Sequence, residues 1–190
     1  VTPIGSDGPL RLPTSFSPDG RLLAVSELNP TSAMDLMVLS LADGKLQPFL
    51  ESPANEWMGA FSPDGRWMAY ASGDSDPATE VFVRAYPGGG ALRQVSAGGG
   101  FLPKWTKGGR ELVYAAPSPI GMAMMAVDVA AEGPALALGK PHELFELPVA
   151  NMAAATSFDA AADGSRFAVI LRSPTGQAVT PKRLHVTVVL

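Results

Sequence analysis

The pentapeptide Phe-Ser-Pro-Asp-Gly occurs twice in the chain, at Phe16–Gly20 and again at Phe61–Gly65. Ser-Pro-Asp-Gly is typical of a type I turn, because proline presets φ at the second position, aspartate suits the third, and glycine adopts the left-handed conformation that follows. Apolar runs flank both copies, so each copy predicts a β-hairpin. The predicted turn residues are Pro18, Asp19, Gly20, Pro63, Asp64 and Gly65.

Two weaker copies, Trp105–Gly109 and Ala160–Gly164, share the final glycine. The turn glycines Gly20, Gly65, Gly109 and Gly164 then recur at a spacing of roughly 45 residues, with a longer last interval, and a spacing of this kind indicates an array of repeated units. In the fourth unit Ala160-Ala-Ala replaces the aromatic-Ser-Pro, which weakens the prediction of that hairpin.

The residues after each turn glycine are apolar at consecutive positions, as in Leu23-Ala24-Val25 and Met68-Ala69-Tyr70. Consecutive positions of a strand point to opposite faces, so both faces of this strand are predicted to be covered. Third strands are predicted at 36–41, 81–86, 124–129 and 185–190, and fourth strands at 45–50, 91–95 and 142–147. Four antiparallel strands per unit predict an all-β fold of about four β-propeller blades, alone or as part of a larger propeller.

The repeat sets the expected boundaries within one propeller domain. Residues 1–10 are the tail of a preceding blade or a closing strand, and the units cover 11–54, 55–99, 100–150 and 151–190, the last being incomplete. The array either closes on itself or leaves open edge strands, and open edges would pair with missing blades or with a second copy in a homodimer.

Composition excludes several classes of function. The net charge is −4, and the 14 Lys and Arg residues are scattered along the chain, so no nucleic-acid surface is predicted. No apolar run approaches ~18 residues, so no membrane insertion by this segment is expected. The absence of cysteine excludes disulfides and thiolate sites. Because the chain begins with Val1 and has no signal-peptide pattern, we expect a fragment or a processed piece.

Several segments together resemble a known family: "FSPDGRWMAYAS" at 61–72, "EVFVRAYPGG" at 80–89, "WTKGGRELVYAA" at 105–116, "GKPHELFE" at 139–146 and "ADGSRFAVI" at 162–170. They are similar to TolB-type, WD-like β-propeller repeats, and most of all to the C-terminal blades of propellers attached to bacterial serine/threonine protein kinases. The resemblance covers about residues 12–190.

The resemblance implies a binding or sensing propeller in the extracytoplasmic part of a membrane-anchored bacterial receptor. No kinase motif is present, so no phosphotransfer role passes to this chain. The alternatives are a propeller that gates a prolyl-oligopeptidase-like hydrolase, a TolB-like periplasmic interaction scaffold, and a propeller lyase or lactonase with a metal in its channel.

No catalytic residue, metal site or cofactor is predicted. His142-Glu-Leu-Phe-Glu146 lacks the second histidine of the zinc helix H-E-x-x-H and lies in a strand context, and His185 is expected to pack or to lie on the surface. Asp74, Asp76 and Glu80 share a loop but not the calcium-binding spacing of an EF-hand. The glycine runs 88–90 and 98–100 lack the features of a phosphate loop, and no G-x-S-x-G motif occurs.

Ligand contacts are instead expected in the loops that lead into the innermost strand of each blade. These positions are Arg11, Thr14, Asn55, Glu56, Trp57, Phe101, Lys104, Asn151 and Thr156. An aromatic ring beside a charge is a plausible contact for a partner or ligand that the sequence does not identify. The alternative is that Trp57 and Phe101 pack between blades.

Overall fold

The computed structural model describes residues 8–30, 33–50, 52–73, 79–90, 92–132, 135–148, 155–171 and 186–189. Within these ranges the chain forms 16 strands and a 3₁₀ turn at Lys107–Gly109, without an α-helix. The strands belong to four sheets. The described residues form no helix that is long and apolar enough to cross a bilayer.

The first two sheets each have four strands, in chain order. Sheet 1 contains β1 (Arg11–Phe16), β2 (Leu22–Asn29), β3 (Ala33–Ser40) and β4 (Leu46–Pro48). Sheet 2 contains β5 (Glu56–Phe61), β6 (Trp67–Ser72), β7 (Glu80–Ala85) and β8 (Arg93–Gln94). Neighbouring strands in both sheets are antiparallel. The predicted all-β fold of antiparallel blades is confirmed.

The other two sheets depart from the four-stranded pattern. Sheet 3 contains β9 (Phe101–Thr106), β10 (Glu111–Ser118), β11 (Gly121–Glu132), β12 (Ala135–Leu138) and β13 (His142–Pro148). Sheet 4 contains β14 (Ala155–Ala160), β15 (Phe167–Leu171) and β16 (Val186–Val189). The extra strand β12 was not predicted. It forms because β11 is 12 residues long, so its first half pairs with β13 and its last four residues pair with β12.

The chain divides into two compact units, residues 1–103 and 104–190. In the first unit, sheets 1 and 2 pack face to face through a buried cluster of Ala24, Leu36, Val38, Phe49, Phe61, Met68 and Tyr70. The ring of Phe49 packs edge-on against Tyr70, with centroids 6.1 Å apart, and stacks on Tyr86 at 5.9 Å. Burial of each large apolar side chain contributes about 1.5–3 kcal/mol, so this cluster is the main source of cohesion between the two sheets.

A serine organises each Ser-Pro-Asp-Gly hairpin. Ser62 Oγ accepts a hydrogen bond from the N–H of Trp67 at 3.0 Å and donates to the Oδ1 of Asp64 at 2.6 Å. Ser17 makes the same two bonds, to the N–H of Leu22 and to Asp19. The four turn glycines all have positive φ, between 69° and 88°. The serine side chain thus fixes the turn, and the glycine provides the backbone conformation that the turn needs.

The second unit builds its hairpins without this serine. Thr106 donates its hydroxyl to the buried carboxylate of Glu111 at 2.7 Å, and Lys107 Nζ lies 2.5 Å from the other oxygen of that carboxylate. In the hairpin between β14 and β15, Asp163 accepts hydrogen bonds from the N–H and the hydroxyl of Ser165. The fourth hairpin therefore forms despite its weak sequence.

Candidate functional site

The start of β5 is the most unusual polar region of the first unit. Glu56 is the first residue of β5, and its side chain is buried, with only 4% of the residue exposed. The hydroxyl of Ser52 donates to Glu56 Oε1 at 2.7 Å. Among the described residues, no group donates to the other oxygen, Oε2. A buried carboxylate with a single neutral donor is poorly stabilised as an anion.

The surroundings of Glu56 favour its protonated form. Burial raises the pKa of Glu56, and the charge of Asp35 raises it further, whereas the hydrogen bond from Ser52 and the charge of Arg84 lower it. Burial also raises the pKa of the Tyr70 hydroxyl to about 12, and the negative charge of Glu56 contributes to that shift. Glu56 therefore belongs to a buried group of interacting charges between β3, β6 and β7.

Asn55 and Trp57, the neighbours of Glu56, also contain polar atoms that lack a hydrogen-bond partner among the described residues. Asn55 Oδ1 and Trp57 Nε1 are buried atoms without a hydrogen-bond partner in the described part of the chain, although both side chains are only half-buried overall. Six described side chains contain such an atom, and three of them are consecutive here. We call Asn55, Glu56 and Trp57 the β5-start cluster. Native proteins pair most of their buried polar atoms, so three adjacent exceptions mark this segment.

The backbone after the cluster is also unusual. The pairing of β5 with β6 shifts register between Trp57 and Ala60, and Met58 has a φ of 57°. The N–H of Met58 leaves the sheet and donates to the hydroxyl of Ser26 in β2 at 3.0 Å. Nearby, the N–H of Phe61 donates to the hydroxyl of Ser15 in β1 at 3.1 Å. A bulge of this kind redirects the preceding side chains, here those of Glu56 and Trp57.

The start of β9 lies beside the start of β5. The N–H of Leu102 is 3.3 Å from the Sδ of Met58, and Leu102 also has a positive φ, of 54°. The structure therefore brings half-buried Phe101, the residue before Leu102, into the same region as the β5-start cluster. In the second unit, Lys104 Nζ lies 3.9 Å from Asp159 Oδ1, a loose and partly exposed ion pair.

The remaining predicted contact residues do not belong to the β5-start cluster. Arg11 donates from Nε to Glu27 Oε2 at 2.5 Å and lines a cavity of about 390 Å³ on sheet 1. The hydroxyl of Thr14 donates to the carbonyl oxygen of Ala24 at 3.1 Å, so Thr14 is engaged in its own sheet. Asn151 lies outside the described residues, and Thr156 is described only as part of β14.

Glu80 binds the glycine run at 98–100, for which no phosphate site was predicted from the sequence. Its Oε1 accepts the N–H groups of Gly98 and Gly99 at 2.9 and 3.0 Å, and its Oε2 accepts the hydroxyl of Ser96. The donors that would hold a bound anion are thus used by a carboxylate of the chain itself. Asp74 and Asp76, which precede Glu80 in the loop between β6 and β7, lie outside the described residues.

Metal chemistry finds no support in the described part of the chain. His142 is an exposed residue of strand β13, so the segment 142–146 has none of the helical geometry that a zinc motif needs. His185 lies outside the described residues. Over the residues that are described, His, Asp and Glu side chains do not form a group of three that could hold an ion.

Sequence reasoning missed four residues that surround Glu56: Ser52, Asp35, Tyr70 and Arg84. Asp35 and Arg84 lie in third strands of different sheets, and Tyr70 occupies a repeat position that is apolar in every unit. Only Ser52 gave a local signal, since it stands four residues before Glu56 in a loop. Tyr70 and Arg84 come near Glu56 through strand pairing within sheet 2, and Asp35 through the packing of sheet 1 against sheet 2.

The fold is similar to solved β-propellers of low sequence identity. TolB from Acinetobacter baumannii is 14% identical, with a TM-score of 0.66 over 88% of this chain and 39% of that chain. A protein assigned as TolB from Agrobacterium tumefaciens is 15% identical, with a TM-score of 0.60 over 74% and 50%. A chain in a nidogen/laminin complex is 11% identical, with a TM-score of 0.63 over 86% and 57%.

These likenesses show the fold and nothing finer. They establish that the sheets are blades of a TolB-like β-propeller. The chain spans half or less of the length of the two TolB structures. Neither a protein-family model nor a curated protein matches the sequence. The fold hosts many activities, so any functional argument depends on the site.

Proposed function

We propose that this chain is a non-enzymatic binding segment of a β-propeller and that its ligand contacts the β5-start cluster. The observation that carries the proposal is the set of three consecutive residues, Asn55 to Trp57, that each keep a buried polar atom without a partner. Asn55 Oδ1 is an acceptor, Trp57 Nε1 is a donor, and the free carboxyl oxygen of Glu56 accepts a hydrogen bond or, when protonated, donates one. A ligand that shifts the half-buried side chains of Asn55 and Trp57 would supply the hydrogen bonds that these covered atoms lack.

Three further features support this location. The side chains of Asn55 and Trp57 are half-buried, so part of each remains accessible to a ligand. The positive φ of Met58 is a strained conformation, and such strain is often retained at functional sites. Trp57 and Phe101 provide aromatic surface beside polar groups, a combination that is enriched where proteins bind partners.

The same proposal extends to the whole protein. We place the chain in the extracytoplasmic, ligand-binding part of a bacterial receptor linked to a serine/threonine kinase, because the order of its repeat variants resembles such propellers. A TolB-like interaction scaffold and the propeller of a prolyl-oligopeptidase-like hydrolase are the competing assignments. The complete reading frame separates them: a kinase domain and a membrane span upstream support the receptor, whereas a hydrolase domain downstream of Leu190 would contradict it.

To test the binding site, a displayed library of random peptides is selected against the wild-type chain. In parallel, a fragment library is screened against the same chain by ligand-observed NMR. We expect the enriched peptides or fragments to lose affinity for Trp57→Ala, because Trp57 provides both contact area and an N–H donor. Phe16→Ala is the matched control, since Phe16 is an exposed aromatic residue (63%) at the other end of an inner strand. Equal affinity for wild type and Trp57→Ala would refute this location.

A further inference from the structure

A second site lies on sheet 1, away from the β5-start cluster. It is the cavity of about 390 Å³ beside Arg11, and its volume lies within the range of small-molecule pockets. Its walls include Leu23, Val25 and Leu39, a small core cluster against which Leu46 also packs. These three core residues are each at most 9% exposed. The cavity therefore has a firm apolar interior.

Four of the residues that line the cavity have small or rigid side chains. Gly8, Pro9, Pro13 and Gly44 all line it. A Cβ atom on Gly44 would have no neighbour within 4 Å, and one on Gly8 would lie 3.6 Å from Arg11 Nη1. No bulky side chain from these positions fills the space. The cavity is partly open to solvent and its lining is mostly apolar, so an apolar guest would remove apolar surface from water.

Arg11 gives the cavity its polar character. Among its lining residues, all of which are described, Arg11 is the only one with a charged side chain. The guanidinium uses Nε to bind Glu27, and its Nη1 and Nη2 groups make no other hydrogen bond with the described residues. About a third of the Arg11 side chain is exposed. Free N–H donors thus stand beside an apolar cavity.

We propose that this cavity binds a small amphipathic acid, with its apolar chain against Leu23, Val25 and Leu39 and its carboxylate on the Nη groups of Arg11. The geometry allows the guanidinium to serve two carboxylates at once, Glu27 through Nε and the ligand through Nη. Hydrogen bonds between ionised groups are about twice as strong as neutral ones. A cationic head group gains nothing from these donors, so the site selects anionic over cationic amphiphiles.

The direct test is calorimetric titration of the 190-residue chain with decanoate, below the concentration at which it forms micelles. Decanol and decyltrimethylammonium serve as neutral and cationic probes with the same chain. We expect saturable binding of decanoate, weaker binding of decanol and none of decyltrimethylammonium. Arg11→Gln should weaken decanoate by about tenfold or more and leave decanol nearly unchanged. Arg21→Gln is the matched control, because it removes the same charge from an exposed turn of the same sheet.

Three further variants complete the test. Val25→Phe fills the cavity from the core and should abolish binding of decanoate and decanol alike. If that variant does not fold, Leu46→Phe on the outer strand β4 fills the same space with less disturbance. Trp57→Ala should bind decanoate normally, which separates this site from the proposed function. The proposal is overturned if wild type shows no saturable decanoate binding, or if Arg11→Gln binds decanoate as tightly as wild type.

Discussion

Gly59 of β5 and Leu36 of β3 approach so closely that a Cβ atom on Gly59 would lie 2.6 Å from the Cδ1 of Leu36. Met68 Sδ would lie 3.3 Å from the same Cβ, and both Leu36 and Met68 are fully buried. We expect Gly59→Ala to lower the free energy of unfolding by about 1–3 kcal/mol, because neither neighbour has space to move away. Urea unfolding followed by circular dichroism measures the change.

A double variant identifies the source of this strain. In a Leu36→Ala background the isobutyl group that collides with the added methyl is gone. The Gly59→Ala substitution should then cost clearly less than in the wild-type chain. An equal cost in the two backgrounds would mean that the backbone of β5, and not Leu36, resists the methyl group.

Gly65 tests the turn conformation of the repeated pentapeptide. Its φ is 71°, and a Cβ atom there would meet only Pro18 at ordinary contact distances, so any loss of stability must come from the backbone. Gly65→Ala should destabilise the fold by about 1 kcal/mol. Gly8→Ala is the matched control, since Gly8 lacks a positive φ and has comparable space. Unchanged thermal unfolding of Gly65→Ala would contradict the turn assignment.

Glu80 should stabilise the loop of Gly98 and Gly99. Glu80→Ala leaves two backbone N–H groups and the Ser96 hydroxyl without their acceptor, and we expect a loss of about 2 kcal/mol. Amide hydrogen exchange at Gly98 and Gly99 should become faster. Exchange at Gly65, whose N–H binds the carbonyl of Ser62, provides the internal control. Unaltered exchange in the loop would show that Glu80 does not hold it.

We expect the ionisation of Glu56 to lower the free energy of unfolding as the pH rises. Because burial raises the pKa of Glu56 in the folded chain above its usual 4.5, the folded state binds this proton more tightly than the unfolded state. The contribution of Glu56 is complete below pH 4.5 and is lost as the pH rises through the raised pKa. Glu56→Gln keeps an acceptor for Ser52 but cannot ionise, so it should gain stability relative to wild type over that interval.

The measurement is the difference in unfolding free energy between wild type and Glu56→Gln across the acidic range. Taking the difference removes the opposite contributions of Asp19, Asp43 and Asp163, whose pKa values are lowered mainly by hydrogen bonds. If the unfolding free energies of wild type and Glu56→Gln change in parallel with pH, Glu56 titrates alike in the folded and unfolded chains.

The sequence predicts the hairpins and the blades because their causes are local. A Ser-Pro-Asp-Gly turn carries its own hydrogen bonds, and an apolar strand after Gly65 or Gly20 must be covered on both faces. The carboxylate of Glu80 and the extra strand β12 were not predicted. Glu80 meets its glycine loop only across the edge of sheet 2, and β12 exists because β11 extends beyond its other partners.

The candidate site was predicted in part for the same reason. Asn55, Glu56 and Trp57 could be selected by position, as residues that lead into an inner strand. The charges around Glu56 come from strands that are distant in the sequence, Asp35 from sheet 1 and Arg84 from sheet 2. The sequence pattern does not predict the cavity beside Arg11 either, since its walls come from four strands, the segment before β1 and the turn between β3 and β4.

The hydroxyl of Ser26, which accepts the N–H of Met58, also limits how the repeats can be rearranged. Met58 and Leu102 occupy the same position relative to their turn glycines, yet Leu102 uses the sulfur of Met58 as its acceptor, and the residue of the second repeat that corresponds to Ser26 is Ala71. Exchanging the first two repeats would separate Met58 from Ser26 and would put Pro13, which has no sulfur, in the place of Met58, so the N–H of Leu102 would lose its acceptor. Repeats with the same pentapeptide are not interchangeable, and their order is specified at the junctions between them.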